Sequence, residues 1–199
     1  LKDASLVTLE IQNIALKYNM NLKDASAYNI QFYQGKATLI DTLSFDFYQE
    51  GSPWGAYGQF CRHFMAPLLL MENVDENLNC LLKNYIDGIP IELANNILKK
   101  RGGLTSLQHI RLHSKSIDKN NDNTEIKTVN LSKNSMVNII SMMQRQIEKI
   151  KRQETNTEWD KYYDNTNYNE DSKSSKINLV EKYLKLIKLK EEDIIWDFG

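Results

Sequence analysis

Cysteine is nearly missing from this sequence. Its 199 residues hold two, Cys61 and Cys80, without CxxC spacing and in apolar helical surroundings. That excludes a disulfide framework or a thiolate metal site and reads as two reduced core thiols in a cytoplasmic protein. Glycine is scarce too, at 8 residues, while the Asn- and Lys-rich remainder carries no function by itself. No apolar run approaches the ~20 residues that span a bilayer; the longest candidate, residues 64–71, is interrupted by Pro67. Neither sign of charge is in excess, with 25 basic against 26 acidic residues. A broad nucleic-acid or anionic-membrane surface is therefore not indicated. The opening Leu1-Lys2-Asp3 is charged and amphipathic, unlike a secretory leader, and the missing initiator Met leads us to expect residues upstream.

Periodicity organises what is present. Leu1, Ala4, Val7, Ile11, Ile14 and Ala15 fall at helical spacing and predict a helix over 1–19. A polar loop follows at 21–29, then strands at 30–33 and 37–41 joined by Gln34-Gly35, where glycine tolerates the positive φ of a tight hairpin. Residues 46–54 read as a loop. A helix is predicted from Trp54 to about Glu72, bent or divided at Pro67, with shorter helices at 76–86, 90–100 and 104–113. Residues 114–130 read as a polar linker. A long helix is expected over 131–153, its stripe being Met136, Ile139, Ile140, Met143, Ile147 and Ile150. That stripe packs on the first domain or pairs with another helix, in a homo-oligomer for instance. An irregular stretch at 155–172 precedes a helix over 173–190 and a short apolar strand from Ile194.

That last strand ends in Asp197-Phe198-Gly199. A buried strand leading into a glycine turn is half of the fingerprint by which doubly wound α/β folds bring backbone close to a nucleotide. By motif alone an ordinary terminal strand is the competing reading. The same tripeptide binds magnesium in protein kinases, but here no catalytic loop precedes it, which rejects that reading. Thr157-Glu158-Trp159-Asp160-Lys161-Tyr162-Tyr163, Thr166-Asn167-Tyr168 and Ile195-Trp196-Asp197-Phe198-Gly199 resemble the lead-in to the catalytic domain of a bacterial class I S-adenosylmethionine-dependent methyltransferase family. The resemblance extends forward through Trp54-x-x-Tyr57-x-Gln59-Phe60-Cys61-x-His63-Phe64-x-Ala66-Pro67-Leu68, Asp87-Gly88-Ile89-Pro90 and 109–114. It implies a parent enzyme that methylates an acceptor the sequence does not identify. Asp197 and Gly199 would sit at the S-adenosylmethionine site, and this chain, lacking the rest of that site, would be non-catalytic alone. Its partner would be its own C-terminal methyltransferase domain.

An earlier constellation carries different chemistry. Asp24-Ala25-Ser26-Ala27-Tyr28-Asn29 fits D-x-x-x-x-N, and the hairpin after it ends in Leu39-Ile40-Asp41. Phosphotransferases of the kinase type use a first Asp to accept the proton of the attacking hydroxyl. An Asn and a second Asp hold the magnesium that bridges the nucleotide phosphates. The order resembles the catalytic lobe of aminoglycoside-type kinases, which would make Asp24 catalytic and Asn29 and Asp41 metal ligands with Mg-ATP. Leu22 stands where those kinases carry His, and neither a glycine-rich loop nor a Val-Ala-Ile-Lys strand is present. An active site, a silent kinase-like lobe and a set of ordinary turn residues all remain open.

Lesser candidates are quickly weighed. His63, among Phe60, Phe64 and Trp54, reads as a buried histidine ahead of a catalytic one. His109 and His113 share a helix face but lack a third metal ligand. Trp159, Tyr162, Tyr163 and Tyr168 either shield a cofactor pocket or anchor a linker. The expected architecture is α+β and mostly α: a kinase-lobe-like helical domain with one hairpin (1–115), a linker (116–130), a helical and aromatic connector (131–172), and the start of a methyltransferase domain (173–199).

Overall fold

The computed structural model describes residues 1–98, 131–151, 169–187, 190 and 192–196. Two compact units divide the chain, Leu1–Gln153 and Glu154–Gly199. Among the described residues helices dominate, with four short strands, so the fold is α+β and mostly α.

The first unit opens with α1 (Lys2–Lys17), which buries Ala4, Ser5, Thr8, Leu9, Gln12, Ala15 and Leu16. This face is rotated from the one that apolar spacing predicts, for Ile14 is 44% exposed while Ser5, Thr8 and Gln12 lie in the core. Hydrogen bonds make that burial tolerable. The Ser5 hydroxyl donates to the Lys2 carbonyl and that of Thr8 to the Ala4 carbonyl. Gln12 spans outward to the next element, β1 (Met20–Leu22).

β1 pairs antiparallel with β4 (Phe45–Phe47). The sequence reading, with loops at 21–29 and 46–54, expects neither strand, because three residues are too few to show alternation and the partners lie far apart in the chain. Leu22 shows how so short an edge strand is held. Its N–H donates to Gln12 Oε1 at 2.7 Å, its carbonyl accepts from Trp54 Nε1 at 2.7 Å, and its side chain is fully buried. Two side chains thereby satisfy the backbone groups that an edge strand leaves open.

The hairpin of β2 (Ile30–Tyr33) and β3 (Lys36–Leu39) forms as the spacing predicts, with Ile30 opposite Leu39 and Tyr33 opposite Lys36. Gln34 and Gly35 both take positive φ, 50° and 75°, the pairing that a two-residue turn matched to strand twist requires.

Pro67 neither divides nor sharply ends its helix. α2 (Tyr57–Phe60) widens into a π-turn (Cys61–Met65) and continues as α3 (Ala66–Asn73). The Ala66 N–H reaches the Cys61 carbonyl, five residues back. Pro67 has no N–H to offer the next carbonyl, that of Arg62. That carbonyl instead accepts the Ile89 N–H at 3.0 Å, so the missing helical bond becomes a tertiary one. The Asp87-Gly88-Ile89 corner follows a 3-10 turn (Glu76–Cys80) and α4 (Leu81–Asn84), and precedes α5 (Ile91–Leu98). Cys80 is exposed on that 3-10 turn, so of the two thiols only Cys61 belongs to the core; burial pushes the Cys61 thiol up to about 12.

The long helix of the sequence reading is α6 (Lys133–Lys149), capped by the Ser132 hydroxyl accepting the Ser135 N–H. Met136, Ile140, Met143 and Ile147 are all but inaccessible and join Leu9, Leu16, Phe60 and Phe64 in one core. α6 packs along α1. The stripe that could have met a second copy is thus taken up inside the unit, and the helix belongs to the first body of the chain instead of connecting two.

In the second unit, α7 (Glu170–Leu186) begins with Asn169 Oδ1 accepting the Ser172 N–H and buries no residue. Residues 194–196, the described part of the strand expected from Ile194, are irregular; a strand is held by a ladder partner, and none pairs with them among the described residues. While 170–172, expected as irregular, open α7, the expected helix at 104–113, the end of the one at 90–100, the linker and residues 155–168 of the aromatic stretch lie outside the described residues. So do Asp197 and Gly199.

Candidate functional site

The segment that joins β1 to β2 is held down on the face of α2. Asp24 Oδ1 accepts the Ser26 N–H at 3.0 Å, closing an Asx turn, and Ser26 caps the short 3-10 turn Ala27–Asn29 by accepting the Tyr28 N–H. Gln59 grips the same place with both ends of its amide. Its Nε2 donates to Asp24 Oδ1 and its Oε1 accepts the Ala25 N–H, each at 2.8 Å. One helical turn further, on the same face, the rings of His63 and Tyr28 meet in a T-shaped contact at 6.0 Å and 84°.

Asn29 and Asp41 meet at the open end of the hairpin, where the Ile40 N–H donates to the Asn29 carbonyl. A single hydroxyl joins their side chains. Asn29 Nδ2 donates to Ser44 Oγ at 3.1 Å, and Ser44 Oγ donates to Asp41 Oδ2 at 2.6 Å. Asp41 Oδ1 accepts the Leu43 N–H at 2.9 Å. These donors, the Ser44 hydroxyl first and the Leu43 amide second, hold the Asp41 carboxyl below its ordinary range. The Lys23 N–H bonds the Ser44 carbonyl at 2.8 Å, which sets the Asp24 segment beside this pair.

The three sequence candidates therefore share one edge of the first unit, in two linked groups. Asn29 and Asp41 form one through Ser44, and Asp24 forms the other with Gln59. Each carboxylate already has two donors. Among the described residues no group of three His, Cys, Asp or Glu side chains is arranged to hold a metal ion. The two residues that organise the edge, Gln59 and Ser44, carry no signal as catalytic types. Gln59 could have been noticed as a polar residue one turn before His63 in an otherwise aromatic helix.

His63 is 3% exposed. Burial, then the adjacent Arg62, lowers its pKa from the ordinary 6.5, against the opposing pull of Asp24 and Asp87. The folded state thus disfavours the protonated ring. The stability that neutral His63 contributes is complete above pH 6.5 and is lost as pH falls through the lowered folded value. Asp41 contributes in a separate window, since its advantage is lost only below the ordinary 3.8. Urea unfolding between pH 7.5 and 5 should show declining stability in the wild type and a flatter profile in His63→Gln. A wild-type slope kept by the variant would assign it to other groups.

A 90-residue stretch of the chain is 38% identical to nodulation protein NoeA of Rhizobium meliloti (strain 1021), covering 45% of this chain and 19% of that protein. The chain accordingly spans about a fifth of the length of this curated relative. No family model matches the chain, and no solved structure matches it.

Proposed function

We propose that this chain is the N-terminal portion of a S-adenosylmethionine-dependent methyltransferase, with a non-catalytic helical unit ahead of the first elements of the cofactor domain. The observation that carries this reading is the state of the second unit. Along α7 and just after it, Ile177, Val180, Tyr183, Leu186 and Ile187 are between 47% and 69% exposed, and Ile194, Ile195 and Trp196 between 56% and 78%. Apolar surface concentrated in this way calls for a covering layer. A helix and an apolar segment that leads to Asp197 and Gly199 are what the start of a doubly wound domain supplies. The relative's length, of which the aligned stretch is 19%, leaves room for such a domain. Asp197 and Gly199 would line the cofactor site. The chemistry would be direct displacement of the methyl group from the sulfonium, with catalysis by proximity and orientation.

The first unit would serve the parent as a substrate-presenting or scaffolding domain. In favour of this, Asp24 and Asp41 are engaged in holding local backbone. Among the described residues no helix is long and apolar enough to cross a membrane; with the free thiols, this favours a cytoplasmic location. A second reading, magnesium-dependent phosphoryl transfer from ATP, draws on the joining of Asn29 and Asp41 through one hydroxyl. Calorimetry on the 199-residue chain should detect no micromolar binding of S-adenosylmethionine, and ATP with magnesium should leave its melting temperature unchanged. Micromolar cofactor binding would contradict the division of labour proposed. A magnesium-dependent shift with ATP, abolished in Asp41→Ala, would establish the second reading.

A further inference from the structure

We draw no further inference here: the strongest candidate, the aromatic surface that Tyr28, Phe32, Tyr33 and Phe47 leave exposed along the two β-ribbons of the first unit, carries none because nothing in the structure shows what covers it.

Discussion

Replacing Gly88 with alanine is expected to destabilise the first unit by about 3 kcal/mol, combining backbone strain with a steric clash. Gly88 has φ +88°, and a Cβ built on it would lie 2.6 Å from Arg62 Cβ and 2.8 Å from the Arg62 carbonyl carbon. Retreat is blocked on both sides. The Gly88 N–H is bonded to the Tyr85 carbonyl, and the next N–H, that of Ile89, is the donor that satisfies the Arg62 carbonyl left open by Pro67. Moving the corner far enough to admit a methyl group would break that bond and orphan a helix carbonyl. Gly35 provides the comparison. Its φ is +75°, yet nothing lies within 4 Å of its missing Cβ, so Gly35→Ala should cost only about 1 kcal/mol of conformational strain. Urea denaturation of both variants separates the two contributions. Equal losses would mean that close approach to the π-turn contributes nothing at Gly88.

Gln12→Leu should cost roughly 2–4 kcal/mol although it makes the core more apolar, because it orphans a buried donor and breaks the amide's bonds to Asn21 Oδ1 and Met136 Sδ. Gln12 is fully buried. Its amide accepts the Leu22 N–H at 2.7 Å and donates to Asn21 Oδ1 at 2.6 Å. With leucine there, the Leu22 N–H faces hydrocarbon and β1 loses its attachment to α1. Substituting exposed Glu10 on the same helix should change stability by less than about 0.5 kcal/mol. Hydrogen exchange at Leu22 gives the local readout: its amide should exchange much faster in Gln12→Leu. Unchanged protection and stability would show that the side chain is a passenger in the core.

These two positions also mark where the sequence stops being legible. Local chemistry is visible in it. Gln34-Gly35 announces the hairpin, Pro67 marks the irregular point of its helix, and the stripe from Met136 to Ile147 predicts the buried face of α6. What escapes is anything decided by a distant partner. The buried face of α1 runs through Ser5, Thr8 and Gln12, which apolar spacing excludes, and Gln12 is tolerable there only because Leu22 and Asn21 arrive to bond it. The strands β1 and β4 are three residues each and exist through their pairing. Much the same holds for the candidate site. The D-x-x-x-x-N pattern and Ile40-Asp41 do bring Asn29 and Asp41 together, but the mediating Ser44 and the Gln59 clamp on Asp24 are tertiary facts. Together with the Ser26 and Leu43 N–H groups, those partners engage Asp24 and Asp41 as local structural ties, a role their residue types permit as readily as catalysis.

Under the proposed function, this chain would lead into a methyltransferase whose cofactor site begins at Asp197. Calorimetric titration of S-adenosylmethionine into the complete protein and its Asp197→Ala variant tests it most directly. Binding by the wild type and a loss of at least about tenfold in the variant, roughly 1.4 kcal/mol, at an unchanged melting temperature, are the expected results. Equal affinity in the two proteins, or no binding by the wild type, would contradict it.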